Sequence, residues 1–153
     1  MMRGAGAILI AAAMLAGGCS EPAQPSSRTV AGAGPTAAVN GHVWRLELAQ
    51  TYEQRYQGLG GRTSMADDAG MLFIYDNPQV LDFCMRGCFI DLDIAFLDEQ
   101  GVVVATHTMK AESDRVGRVT YSSGQPAQYA LEVAAGSLAR HKVKVGSQIR
   151  ISR

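Results

Sequence analysis

Residues 67–101 read DDAGMLFIYDNPQVLDFCMRGCFIDLDIAFLDEQG, and this stretch decides the fold. It holds three apolar runs: Gly70–Tyr75, bounded by Asp67-Asp68 and Asp76-Asn77-Pro78; Leu81–Met85, stopped by Gly87; and Ile90–Phe96. Apolar runs ended by Asp, Asn, Pro and Gly read as strands. In the third run Ile90, Leu92, Ile94 and Phe96 alternate with Asp91 and Asp93, which predicts an apolar inward face and an acidic outward one. Asp98-Glu99-Gln100-Gly101 is a hairpin signal, with the β-branched segment Val102–Thr108 as the returning strand.

Outward from this block the same period recurs. His42–Ala49 places Trp44, Leu46 and Leu48 on one side and Val43, Arg45 and Glu47 on the other, as in a half-buried strand. Thr51 is an N-cap for a short helix over Tyr52–Gln57 that Gly58 closes; Glu53 falls too early for a capping box. Ala111–Gly124 is polar and loop-like. Gln128–Ala134 alternates again, with Tyr129, Leu131 and Val133 on one face and Glu132 on the other. Ser137–His141 fits one helical turn, and Gln148–Ser152 is a final strand. Short strands at close spacing, with no strand–long helix alternation, predict a mainly β protein. The expected form is a single antiparallel β-sandwich or half-barrel domain with one or two short helices.

The N-terminus belongs to a different regime. Residues 1–18 have one early positive charge (Arg3), an apolar stretch Ala5–Leu15 and small residues Ala16-Gly17-Gly18 before Cys19. The apolar stretch is shorter than the roughly 20 residues a membrane-spanning helix needs, so the layout is that of a signal peptide. The cysteine after small residues resembles the lipobox of bacterial lipoproteins, in which it is lipidated and becomes the mature N-terminus. Ser20 in the next position resembles lipoproteins sorted to the outer membrane. Residues 19–37, rich in Pro, Ala, Gly and Ser, read as a flexible tether, and residues 38–153 as one domain. The implied address is the cell envelope, facing the periplasm, with membrane contact through the lipid on Cys19.

The 14 basic and 14 acidic residues cancel, and no Lys/Arg cluster with interleaved aromatics is present. This argues against nucleic acid as a partner. With Cys19 set aside, the other two cysteines, Cys84 and Cys88, form a pair in an oxidising compartment. In an unbroken strand they stand about 13 Å apart, beyond the roughly 7 Å Cα limit for a disulfide, unless Gly87 permits a tight turn. Three readings stay open: a structural disulfide, two buried thiols, or a redox or metal pair.

Several segments together resemble the bacterial and archaeal family known as domain of unknown function 192. They are Arg55-Tyr56-Gln57-Gly58-Leu59-Gly60-Gly61-Arg62, Asp68-Ala69-Gly70-Met71-Leu72-Phe73, Phe83-Cys84-Met85-Arg86-Gly87-Cys88, Leu92-Asp93-Ile94-Ala95-Phe96, Tyr121-Ser122, Pro126-Ala127, and Leu131-Glu132 with Ala135-Gly136. The resemblance implies a mainly β sandwich or half-barrel and no established reaction. The chain departs from the family pattern at four positions, with Cys84 for Trp, Arg86 for Lys, Gly87 for Asn and Asp91 for Pro. Loss of the Trp removes a stacking surface.

Charged residues inside the matching segments are Arg62, Asp68, Arg86, Asp93 and Glu132. Of these, Arg62, Asp68, Arg86 and Asp93 are the candidate ligand-binding residues, with Arg86 and Asp93 lining one open edge; the alternative is a set of ion pairs and turn caps. Asp91 and Asp93, alternating on an outward face, read as solvated rather than catalytic. His42, His107 and His141 have no metal-ligand partner at i+3 or i+4, which argues against zinc. No cofactor and no metal is expected. The sequence therefore predicts a non-catalytic binding or accessory module for a small polar ligand or an envelope partner, with thiol-redox or metal chemistry at Cys84/Cys88 as the rival.

Overall fold

The alternation that marks His42–Ala49 as a strand begins earlier in the structure, a computed structural model that describes residues 34–114 and 116–153. Strand β1 (Thr36–Val39) pairs antiparallel with β2 (His42–Ala49). Asn40 and Gly41 between them have φ of 49° and 81°, the two-residue hairpin turn whose twist matches that of its strands. The domain thus starts inside the stretch read as tether. Residues 1–18, read as a signal peptide, and Cys19 lie outside the described residues.

Helix α1 (Tyr52–Gln57) starts where Thr51 predicts, but its capping box is complete. Gln54, not Glu53, supplies the partner: Gln54 N–H donates to Thr51 Oγ1 (3.2 Å) and Thr51 N–H donates to Gln54 Oε1 (3.0 Å). The helix and its loops carry the chain across to β3 (Ala69–Gln79), which pairs parallel with β2 from Arg45↔Ala69 to Ala49↔Phe73. This is one parallel ladder in a sheet expected to be antiparallel. The connection after β2 is long enough for a crossover, the condition that parallel pairing imposes.

The remaining elements are β4 (Asp82–Phe83), β5 (Leu92–Leu97), β6 (Val103–Met109), β7 (Tyr121–Ser122), β8 (Ala127–Ala134), α2 (Ser137–Arg140) and β9 (Arg150–Ser152). Seven strands form one curled half-barrel sheet in the order β6-β5-β8-β3-β2-β1-β9, and β4 with β7 forms a small second sheet. At one end the two edges of the large sheet meet. Val102 bridges Gln148, Val103 N–H donates to Ser147 O (2.9 Å), and Ile149 N–H donates to Gly101 O (2.9 Å). Gly101 makes this closure possible: its φ is +81°, and a Cβ there would lie 2.6 Å from the Ile149 carbonyl oxygen.

The sheet is covered on both faces. The concave face packs Trp44, Leu46, Leu72, Leu97, Leu131, Val133, Leu138 and Ile149 into one core. The other face carries Met71, Phe73, Leu92, Ile94, Phe96 and Ala130, capped by Leu59, Leu81, Met85 and Cys88 from the segments around α1 and β4. All six residues of β5 are buried. The acidic outward face expected for this strand is therefore corrected for Asp93, which is 2% exposed and belongs to the concave side.

Candidate functional site

The second face does not close completely. Between α1, β3 and the turn after β4 it leaves a cavity of about 130 Å³ whose lining includes Glu132, Phe73, Tyr75, Phe83, Arg86 and Cys88. That is close to the roughly 150 Å³ of an apolar protein cavity able to take a benzene-sized molecule.

Glu132 forms the floor. It sits mid-strand in β8, opposite Met71 on β3 and Ile94 on β5, with Ala130 two residues away on the same face. The residue is 5% exposed, and its carboxyl takes part in no hydrogen bond or ion pair with protein groups among the described residues. Burial alone pushes its pKa from 4.5 up to about 8. At neutral pH this is a neutral acid, able to donate one O–H and accept at its carbonyl oxygen.

Two guanidinium groups stand at the walls. Arg55 is spent on the fold: it donates to the carbonyl oxygens of Gln50 and Ile74 and lies over the Tyr75 ring at 4.7 Å. Arg86 is less committed. It lies over the Tyr56 ring at 4.1 Å and makes only a long 3.5 Å contact to the Tyr56 carbonyl oxygen. Among the described residues no carboxylate lies within ion-pair distance of it. Arg86 is held by a turn in which Cys88 N–H donates to Met85 O (3.0 Å) and Gly87, with φ +68°, hands its carbonyl to Gly61 N–H (2.9 Å).

Cys84 and Cys88 are both free thiols in the structure, Cys88 buried and Cys84 half-buried. The turn at Gly87 does bring both side chains to one cavity wall, as the tight-turn argument requires. Burial, with Glu132 as the next cause, pushes the Cys88 thiol up to about 11. Cys84 packs against Gly117, where a Cβ would fall 2.8 Å from its sulfur.

Of the four predicted ligand residues, only Arg86 lines the cavity. Arg62 pairs with Glu47 (2.6 Å) and Asp68 with Arg45 (2.8 Å), both at the surface. Asp93 is on the opposite face of the sheet. Its oxygens accept from Leu138 N–H (3.1 Å) and the Thr108 hydroxyl (2.8 Å). Gly136, the N-cap of α2, offers no side-chain oxygen, so Asp93 supplies the acceptor that the helix start lacks. Arg86 and Asp93 do not share an edge. Asp91 is partly exposed and is held below the usual carboxylate range by hydrogen bonds from the Lys110 ammonium (2.7 Å) and Ala111 N–H (2.8 Å).

Glu132 was legible only as a charged residue in a family-matching segment. The added signal is that its neighbours on both sides in β8, Leu131 and Val133, are apolar, as are Met71 and Ile94, which stand opposite it on β3 and β5. The histidines also form a feature that local spacing hides: His42 and His141 stack with ring centroids 3.6 Å apart, and both lie edge-on to Trp44. Among the described residues no group of three or more His, Cys, Asp or Glu side chains is placed to hold a metal ion.

Among the described residues, a half-barrel sheet with both faces covered and a nearly buried acid under a side cavity define a small, mainly β protein. The chain belongs to the family called domain of unknown function 192, described as "uncharacterized ACR", whose model matches residues 35–151. The fold is similar to that of a Novosphingobium aromaticivorans protein of unknown function, with 30% identity and a TM-score of 0.68, over 88% of this chain and 99% of that one. It is also similar to a Sinorhizobium meliloti protein provisionally described as a transcription regulator, with 28% identity and a TM-score of 0.67, over 76% of this chain and 91% of that one. A comparison with curated proteins finds no match.

Proposed function

We propose that this protein is a small-ligand binding module of the cell envelope, tethered by a lipid on Cys19, with its ligand seated in the cavity above Glu132. One observation carries the binding reading: a Glu132 side chain only 5% exposed, with no protein hydrogen bond among the described residues, whose carboxyl opens into a cavity. Left bare, such a group would cost about 1–3 kcal/mol or more, so water or a ligand in the cavity has to meet it. A ligand that completes its hydrogen bonds takes the place of that water. The cavity walls support binding over thiol chemistry. Cys88, with its pKa pushed up to about 11, is a protonated thiol at neutral pH and a poor nucleophile.

The test is a thermal-shift screen of the full chain against small sugars, carboxylates, phosphates, alcohols and amines, with Arg86→Ala in parallel. A ligand at 100 times its Kd stabilises the folded state by about 2.7 kcal/mol. The expected result is a hit that shrinks in Arg86→Ala; silence across the whole panel contradicts a ligand site.

The envelope address rests on the lipobox-like Ala16-Gly17-Gly18-Cys19 and the tether after it. Among the described residues no helix is long and apolar enough to cross a membrane. Cys19→Ser should move the protein from the membrane fraction to the soluble periplasmic fraction. Unchanged membrane association of that variant would remove the anchor from the account.

A further inference from the structure

We infer that the ligand of this cavity is a short-chain monocarboxylate, its carboxylate hydrogen-bonded by the Glu132 side chain and faced by the Arg86 guanidinium, with its apolar tail against Leu59, Phe73 and Phe83. This rests on the binding reading above and names the ligand class of the same site.

Three observations lead there. The first is the charge of the walls. Arg55 and Arg86 face the cavity against a single wall carboxylate, Asp82, so with Glu132 neutral the site has a positive surplus that favours an anion. A cationic ligand would meet two guanidinium groups and would need Glu132 ionised in a buried position, at the cost of its desolvation. The second is the floor itself. The Glu132 carboxyl, nearly buried, opening into the cavity and without a protein partner among the described residues, offers an O–H, and a carboxylate is the strongest acceptor for it. Arg86, which makes no ion pair among the described residues, then supplies the countercharge. The third is size and lining. A cavity of about 130 Å³ with buried Leu59 and Phe73 on its wall suits a chain of a few carbons rather than a sugar.

Such binding is coupled to a proton, because ionised Glu132 would repel the bound carboxylate and has no O–H to give. Titratable or polar groups that line the cavity together with Glu132 are Tyr75 from β3, Arg55 and Tyr56 from α1, and Asp82 from β4. The turn after β4 adds Cys84, Arg86 and Cys88. Strand β5 contributes only the apolar Ile94 and Phe96 at this register. Burial pushes both Tyr75 and Cys88 upward, so both stay neutral through pH 9.

The experiment is calorimetric titration of the full chain with butyrate, butyramide and butylamine at pH 6 and pH 9. Glu132→Gln and, as a surface carboxylate outside the cavity, Glu47→Gln are run alongside. Glu132 with its pKa at about 8 is about one-tenth protonated at pH 9, so the Kd for butyrate should rise about tenfold between the two pH values. Glu132→Gln, which keeps an N–H donor but cannot ionise, should flatten that profile, and Glu47→Gln should leave it in place. The inference is overturned by butylamine binding in preference to butyrate, by a pH-independent Kd in the native chain, or by a pH dependence that survives Glu132→Gln. If none of the three binds but another class in the thermal-shift panel does, the carboxylate assignment falls and the binding module stands. If nothing in either experiment binds, both fall.

Discussion

Glu132→Gln should stabilise the protein on the order of 4 kcal/mol at pH 9 while changing it by less than about 1 kcal/mol at pH 5. The sign follows from burial. Glu132 has its folded-state pKa raised from 4.5 to about 8, so between those values the native state holds a proton that the unfolded chain has released. Its contribution is complete below pH 4.5 and is lost as pH rises through 8, at about 1.4 kcal/mol per pH unit across that window. Above pH 8 the native state carries a buried carboxylate with no ion-pair partner among the described residues, which Gln does not. At pH 5 acid and amide are near isosteres, and the two proteins should unfold alike. Urea unfolding at half-unit steps from pH 5 to pH 9 reads this directly. Parallel curves for the two proteins would mean that Glu132 is solvated and ionised like a surface residue.

Asp93→Ala should cost about 2–4 kcal/mol of folding stability and leave ligand binding in place. Asp93 is 2% exposed and accepts from the buried Leu138 N–H and from the Thr108 hydroxyl. Removing the carboxylate strands the N–H at the start of α2 inside the concave core, where Gly136 offers no substitute, and leaves a small void. Since β5 alternates, the carboxyl is separated from the Glu132 cavity by the sheet itself. A thermal-shift hit found with the native chain should therefore persist in Asp93→Ala, offset by the lower starting Tm. Loss of the hit with stability intact would return Asp93 to the ligand face.

These two acids show what could be read from the chain and what could not. The period-two patterns of His42–Ala49, Ile90–Phe96 and Gln128–Ala134 place strands correctly, because alternation is a property of the single strand. Whether the second face of a strand meets water depends on what folds over it, and that is not encoded locally. Asp93 and Glu132 both stand out of phase with the apolar residues around them, so both read as solvent-facing. Yet α2 covers one, and α1 with the β4 turn covers the other. The Asn40-Gly41 turn and the Thr51–Gln54 capping box were within reach of local rules. The parallel β2–β3 ladder was not, since it depends on where a crossover lands. Arg86, singled out because it lies between two cysteines beside Gly87, does line the cavity. Arg62 and Asp68 were not separable from it by type, and only geometry shows each already paired at the surface.

The central claim is a neutral carboxyl at the floor of the cavity, and carbon-13 NMR of side-chain-labelled glutamate titrated from pH 4 to pH 10 tests it most directly, with Glu132→Gln to assign the signal. The account predicts one glutamate carboxyl titrating near pH 8, absent from the variant, and moving to a higher midpoint when butyrate is added. A Glu132 signal that titrates near 4.5, with or without butyrate, would contradict it.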